Sequence, residues 1–148
     1  MSDPTGSVLQ MELVDPGGPV FEGEVGQVII PARTGQLGIK YRHAPLVTQL
    51  AVGRLRVQKT DGEWLDFAVA EGFAKVQDNK VIVLADAAEE ASEIDVDRVK
   101  QSLKRATERL EMYRTGAVPD TEDVDPYREK MARARALNRL RVAGITEE

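Results

Sequence analysis

The segment RLRVQKTDGEWLDFAV, residues 54–69, carries the plainest folding signal in the chain. From Arg54 to Gln58 apolar and polar residues alternate strictly, as a strand with one buried and one wet face requires. Leu65, Phe67 and Val69 alternate again beyond Asp61-Gly62, a dipeptide that favours a tight type I′ turn because both central residues need positive φ. The segment therefore reads as a β-hairpin. Similar signals lie on either side. Residues 8–14 are apolar and β-rich and stop at the turn cluster Asp15-Pro16-Gly17-Gly18-Pro19. Val25, Val28, Ile29 and Ile30 fill a run over residues 24–31. Asp78-Asn79 marks another hairpin, and the continuous apolar run at 81–84 predicts a strand covered on both faces. Short strands at close intervals mean a β-sandwich or barrel.

Near residue 88 the composition shifts and the period changes. Asp95 is placed as a helix N-cap, with Asp97 adding negative charge where the helix dipole favours it. Val99, Leu103, Ala106, Leu110 and Tyr113 then recur at four- and three-residue steps, a narrow apolar stripe that Gly116 and Pro119 end. Residues 115–124 are turn-forming and acidic. Asp125-Pro126 opens a second helix, Asp as cap and Pro at the first helical position. Tyr127, Met131, Ala134, Leu137 and Leu140 form its apolar side, and Gly144 closes it. A short linker between two such stripes predicts an antiparallel hairpin. The expected class is α+β: a β-sandwich over residues 1–89, then a two-helix hairpin over residues 90–148.

Composition bounds the chemistry. The net charge of −5 argues against a dedicated nucleic-acid binder. The chain has no cysteine, and His43 is its single histidine. Neither a thiolate nor a histidine-based metal cluster is available, and no nucleophile, base and orienting group can be assembled. No catalytic residue and no metal ligand is assigned. Thr34-Gly35-Gln36-Leu37-Gly38-Ile39 is glycine-spaced, but no Gly-Lys-Ser/Thr follows, so it reads as a loop between strands rather than a phosphate loop. The first residues lack the basic start and apolar run of a signal peptide. No apolar stretch approaches the roughly 20 residues that span a bilayer, so any membrane association is expected through a partner.

Charge is unevenly spread: residues 1–92 hold 13 acidic and 8 basic residues, residues 93–148 hold 12 of each. The basic ones gather on the helices. Arg98, Lys100, Lys104, Arg105, Arg109 and Arg114 lie on the first, Arg128, Lys130, Arg133, Arg135, Arg139 and Arg141 on the second. Few have an acid four residues away. Beside the plain reading of a solvated face, this points to an acidic partner surface or a polyphosphate ligand.

Taken in order, Val20-Phe21-Glu22-Gly23-Glu24-Val25, Gly35-Gln36-Leu37-Gly38-Ile39 and His43-Ala44-Pro45-Leu46-Val47 resemble the N-terminal domain of the epsilon subunits of F-type ATP synthases. Glu71-Gly72-Phe73-Ala74-Lys75-Val76, Asn79-Lys80-Val81 and Val83-Leu84-Ala85-Asp86-Ala87-Ala88-Glu89 resemble it too. Arg135-Ala136-Leu137-Asn138-Arg139-Leu140-Arg141-Val142-Ala143 is similar to the family's C-terminal helix. The resemblance covers nearly the whole chain, and its specificity lies in the shared order.

The resemblance implies a non-catalytic rotor subunit. Its sandwich would seat at the foot of the central stalk, against the gamma subunit and the ring of c subunits. It would lie at the cytoplasmic face of the bacterial plasma membrane, peripheral and held only through the complex. The hairpin would either fold on the sandwich or extend into the head of alpha and beta subunits, where it blocks ATP hydrolysis. On this resemblance the loop 34–43, with Gln36, Arg42 and His43, is the ring and gamma contact; Gln36 stands where many relatives carry an acid. Arg105, Arg109, Arg128, Arg133 and Arg141 are the inhibitory contacts.

Some bacterial relatives bind ATP through an Ile-Asp-x-x-Arg-Ala motif. Ile94-Asp95-Val96-Asp97-Arg98-Val99 matches it except for Val99 in place of alanine. Glu89, Arg105, Arg135 and Arg139 fall where the family's other nucleotide contacts lie. No cofactor is required on this reading, and ATP enters as a regulatory ligand. Two other readings use the same elements: a stand-alone adaptor whose basic hairpin binds proteins, and a hairpin that binds nucleic acid. Against the latter, Tyr113 and Tyr127 are the helices' only aromatics for stacking on bases.

Overall fold

The structure, a computed structural model, describes residues 6–145. The chain separates into two compact units, the first ending at Ala91 and the second beginning at Ser92. The first contains strands β1 (Leu9–Asp15), β2 (Gly18–Ala32), β3 (Gly35–Lys40), β4 (Leu46–Leu50), β5 (Gly53–Lys59), β6 (Trp64–Gln77) and β7 (Lys80–Glu90). After a short 3-10 turn at Ala91–Glu93, the second contains helices α1 (Val96–Thr115) and α2 (Pro126–Val142).

The strands form a β-sandwich made from one continuous hydrogen-bonded sheet, because its longest members serve two neighbourhoods. β2 pairs antiparallel with β1 along its first half and with β3 and β5 along its second. β6 pairs with β5 over Trp64 to Val69 and with β4 over Gly72 to Val76. β7 lies antiparallel beside β6 along both stretches and parallel to β1. Leu9, Met11 and Leu13 face one closed core with Val25, Val28, Leu55, Val57, Phe67, Val81 and Val83. Burying each such side chain contributes about 1.5–3 kcal/mol. Phe21 meets the edge of Phe67 at 5.9 Å between ring centroids, a favoured geometry for two π-quadrupoles.

The handover of β6 from β5 to β4 occurs at Glu71-Gly72, where φ is 33° and 135°. Up to that point odd-numbered Phe67 and Val69 face the core; beyond it even-numbered Ala74 and Val76 do. The kink therefore reverses the inward face of the strand. It also brings β6 against β7 so closely that a Cβ at Gly72 would stand 2.0 Å from the Leu84 carbonyl oxygen.

Three expectations from the sequence are corrected. Asp61-Gly62 does not form a type I′ turn. Gly62 N–H donates to the Lys59 carbonyl at 2.9 Å and Lys59 N–H to the Glu63 carbonyl at 2.8 Å. Only Gly62 of the pair has positive φ, at 91°, the three-residue loop with a glycine bulge. The double positive φ belongs instead to Asp78 (52°) and Asn79 (60°), residue types that tolerate it. Residues 81–84 are not covered on both faces: Val81 and Val83 are buried while Leu84 is exposed. Residues 34–39 are not a loop, since Gly35–Lys40 is strand β3 and only Gly35 of its two glycines has positive φ. β4 was not anticipated.

In the helical unit the local signals held. Asp95 caps α1 by accepting from Arg98 N–H at 3.1 Å, and Gly116 ends it in the left-handed conformation. Asp125 caps α2 by accepting from Tyr127 N–H at 3.0 Å, with Pro126 first in the helix. Gly144 stops α2 at a φ of 83°, with Ile145 N–H donating back to the Leu140 carbonyl, a glycine-stop arrangement that satisfies end carbonyls. The buried face of α2 is another correction. Tyr127 is 71% exposed and Ala134 is exposed too, whereas Glu129, Ala136 and Leu140 are buried. At about 100° per residue those three lie within about 40° of one another, and Tyr127 and Ala134 fall on the far side, where Asn138 and Val142 nearer the C-terminal end of the helix are buried as well. An apolar count excluded Glu129 from the seam; Arg109 of α1 is what admits it, with Nη1 3.1 Å from Glu129 Oε1.

Gly72→Ala is expected to destabilise the sandwich by about 3 kcal/mol or more, through the backbone clash and the strained φ together. Gly38→Ala, where a Cβ meets nothing within 4 Å, is expected to change stability by under about 1 kcal/mol. Chemical denaturation of both variants checks the contrast; equal effects would show that the close approach at Gly72 is not what fixes the corner.

Candidate functional site

On the sandwich, the reversal of β6 throws a large aromatic outward. Phe73 is 53% exposed, directly opposite Leu84, which is 55% exposed. Val47 of β4, 68% exposed, is their diagonal neighbour through the Gln49–Phe73 and Val47–Lys75 pairs. Half-buried Ile82 and Val14 extend this row across β7 and β1. Arg33, Gln49, Glu71 and Asp86 line an open cleft at one end of it, beside Gly72. A contiguous apolar row on the outer face of a sheet marks a surface that another molecule covers. Sequence reasoning missed this face. Its signal was the four-residue apolar run at 81–84, which on a strand with one wet face must turn apolar side chains outward.

The three residues expected to contact the ring are not one cluster. Gln36 is exposed at the start of β3, whereas Arg42 and His43 follow its end; the strand between spans roughly 20 Å. The turn at Tyr41 to His43 is firmly held. Arg42, at a φ of 66°, donates its N–H to Asn79 Oδ1 at 2.6 Å, and the Asn79 carbonyl accepts from Gln10 N–H at 2.9 Å. Asn79 so ties three segments together at that end of the sandwich. His43 Nδ1 lies 2.7 Å from the Ala44 carbonyl, which places the proton on Nδ1, and Arg42 sits over the Tyr41 ring.

On the hairpin, helical geometry sorts the arginines. Arg98, Arg105 and Arg109 fall within about 40° on one flank of α1, along about 16 Å of its length. Arg128, Arg135 and Arg139 share one flank of α2, and antiparallel packing turns both flanks to the same side. Arg133 and Arg141 point elsewhere around α2, so the expected inhibitory residues do not form one face. Arg98, Arg105, Arg128 and Arg133 are exposed and make no ion pair with a described residue; Arg135, Arg139 and Arg141 are engaged. Exposed Arg114 hydrogen-bonds Glu111 and holds its carboxyl below the usual range, a surface pair that adds little stability.

The expected nucleotide residues divide in the same way. Asp95 spends its carboxylate on the cap, Ile94 and Val99 are buried, and Arg98 and Arg105 are free to reach a ligand. Glu89 belongs to the sandwich unit, paired with Ala68 near the end of β7. Among the described residues no group of three or more His, Cys, Asp or Glu side chains is placed to hold a metal ion. No described helix is long and apolar enough to cross a membrane.

Residues 8–91 match the family model described as ATP synthase, Delta/Epsilon chain, beta-sandwich domain. Residues 92–144 match the one described as ATP synthase, Delta/Epsilon chain, long alpha-helix domain. The chain is 40% identical over 134 residues to the ATP synthase epsilon chain of Desulforamulus reducens, covering 90% of this chain and 96% of that one. It is 41% identical over 137 residues to that of Halalkalibacterium halodurans, covering 92% and 97%. A chain in the cryo-EM structure of the Euglena gracilis mitochondrial ATP synthase, OSCP/F1/c-ring in rotational state 1, shares the fold. Its TM-score is 0.70 at 21% identity, over 86% of this chain and 76% of that one.

Proposed function

The chain belongs to the delta/epsilon family of ATP synthase subunits, among the epsilon chains, and from that premise we infer that it is a non-catalytic subunit of the rotor. The sandwich docks on the gamma subunit and the ring of c subunits, and holds the protein peripherally at the cytoplasmic face of the bacterial plasma membrane. The observation that carries this reading is the outward apolar row of Val47, Phe73 and Leu84. Apolar side chains on a sheet that already has a full core gain by being covered, at about 25 cal/mol per Å². Gamma covers this row; Gln36 at one end of β3, or Arg42 and His43 at the other, meets the ring.

The hairpin regulates. Its seam of small and medium apolar residues closes the two helices on each other, and its α1 flank meets acidic segments of the alpha and beta subunits. A two-state hairpin of this kind is biased only by ligands that bind its states unequally. Acidic segments of the catalytic head favour the extended state, which blocks hydrolysis. ATP favours the compact state through the arginines of the two flanks, Arg98 and Arg105 with Arg135 and Arg139. Guanidinium groups hold phosphates by charge-assisted, often bidentate hydrogen bonds. Asp95 serves this site by capping α1. Val99 fills space that alanine leaves open in relatives that bind the nucleotide.

Phe73→Asp with Leu84→Asp is expected to weaken capture of the gamma subunit by about 2 kcal/mol or more, roughly thirtyfold, while the exposed positions leave the sandwich folded. Undiminished capture would place gamma on another face. A chain ending before Ile94 should still assemble and should raise the ATPase activity of the complex; unchanged hydrolysis at every nucleotide concentration would end the inhibitory reading. Calorimetry with ATP is expected to give binding that Arg98→Ala abolishes. No heat from the parent chain would take the nucleotide out of the scheme and leave the rotor assignment standing.

A further inference from the structure

We propose that the Arg109–Glu129 pair is a latch that ties closure of the α1–α2 seam to what occupies the basic flank of α1, so that an acidic segment docked there opens the hairpin. The inference rests on the reading of that flank as a docking surface for acidic protein segments.

The two partners of the pair live in unequal surroundings. The Glu129 side chain is 9% exposed and that of Arg109 is 41% exposed, with Nη1 and Oε1 3.1 Å apart. An enclosed carboxylate is tolerable only while its counter-ion stays, because removing one partner strands an uncompensated charge. Arg109 is not similarly confined. Its guanidinium carries five donors, and it shares its flank with Arg98 and Arg105, which are exposed and have no ion pair to a described residue. Three guanidinium groups thus line one flank, and only Arg109 is turned into the seam.

An acidic stretch laid along this flank engages Arg98 and Arg105 first and then competes with Glu129 for Arg109. When Arg109 turns outward, Glu129 must recover water, and parting the helices supplies it. Two further ion pairs on α1, Lys104 with Glu108 and Glu111 with Arg114, are exposed and lie wholly within that helix, so they cannot transmit anything to α2. Each helix meanwhile survives the parting. α1 has its own cap at Asp95 and stop at Gly116, α2 its own cap at Asp125 and stop at Gly144. Their end groups are satisfied without the partner helix.

The full chain has no cysteine, so Ser102→Cys and Ala134→Cys, both exposed, can carry a pair of spin labels on α1 and α2. Poly-glutamate is the acidic probe and poly-glutamine the control. In the parent, poly-glutamate is expected to add a longer interlabel distance that poly-glutamine does not. Glu129→Gln is expected to bind poly-glutamate at least as tightly as the parent, because Arg109 no longer has a competing carboxylate, and to stay closed, since no buried charge is left behind. Arg109→Gln is expected to show the longer distance with no probe, and Arg109→Gln with Glu129→Gln to return to the closed one. Circular dichroism verifies that every variant keeps its helices. A parent that binds poly-glutamate without lengthening, a Glu129→Gln chain that opens like the parent, or an Arg109→Gln chain that stays closed overturns the latch. A parent that fails to bind poly-glutamate overturns the docking reading instead, and opening by acidic segments falls with it.

Discussion

The backbone of β6 at Gly72 runs against the carbonyl of Leu84 with no room for a side chain between them, and both faces of the sandwich follow from that contact. The kink lets one strand leave β5 and join β4, which closes the sheet on itself. It also exchanges the inward and outward sets of residues, so that Ala74 and Val76 continue the core that Phe67 and Val69 began. A straight strand would carry Phe73 inward and leave Ala74 outside. The corner therefore both completes the core and creates the apolar row that we assign to the gamma subunit. Strained conformations persist where the surroundings over-determine them. Here β7, paired on both sides of the kink, does so.

The helical unit distributes its stability differently. Its helix ends are settled locally by aspartate caps and glycine stops, each contributing on the order of 1 kcal/mol. Its seam is narrow, with Val99 and Ala106 buried on α1, and it encloses a charge. Rigid elements joined by a modest interface are what a two-state device requires, since the elements must survive when the interface does not. Arg109 stands at the meeting point of the two demands, half in the seam and half on the cationic flank.

The division of labour suits a subunit of the ATP synthase rotor. A sandwich with a well-filled core and an apolar outer row is suited to permanent attachment. A hairpin whose exposed surface is mainly charge is suited to reversible contact, because charged contacts between exposed groups are individually weak and are readily exchanged.

Much of this was legible in the chain. Period-two and period-3.6 patterns identified the sandwich and the hairpin, and Asp95, Gly116, Asp125, Pro126 and Gly144 marked the helix ends, because these signals are satisfied by hydrogen bonds reaching only a few residues. Turn type at Asp61-Gly62 was misjudged on dipeptide composition, where one further residue of loop removes the need for positive φ at Asp61. The outward face of Phe73 was hidden, since alternation read forward from Phe67 gives the opposite side. The true face of α2 was hidden too, since a glutamate in the seam contradicts an apolar count. Both depend on partners distant in sequence, Gly72 with Leu84 and Arg109 with Glu129. Sequence by itself determined the class of each unit and where the two helices start and stop, through short-range bonding. Only the tertiary structure decided which sides of β6 and α2 face inward, because that choice is made by contacts the chain acquires after it has folded back on itself.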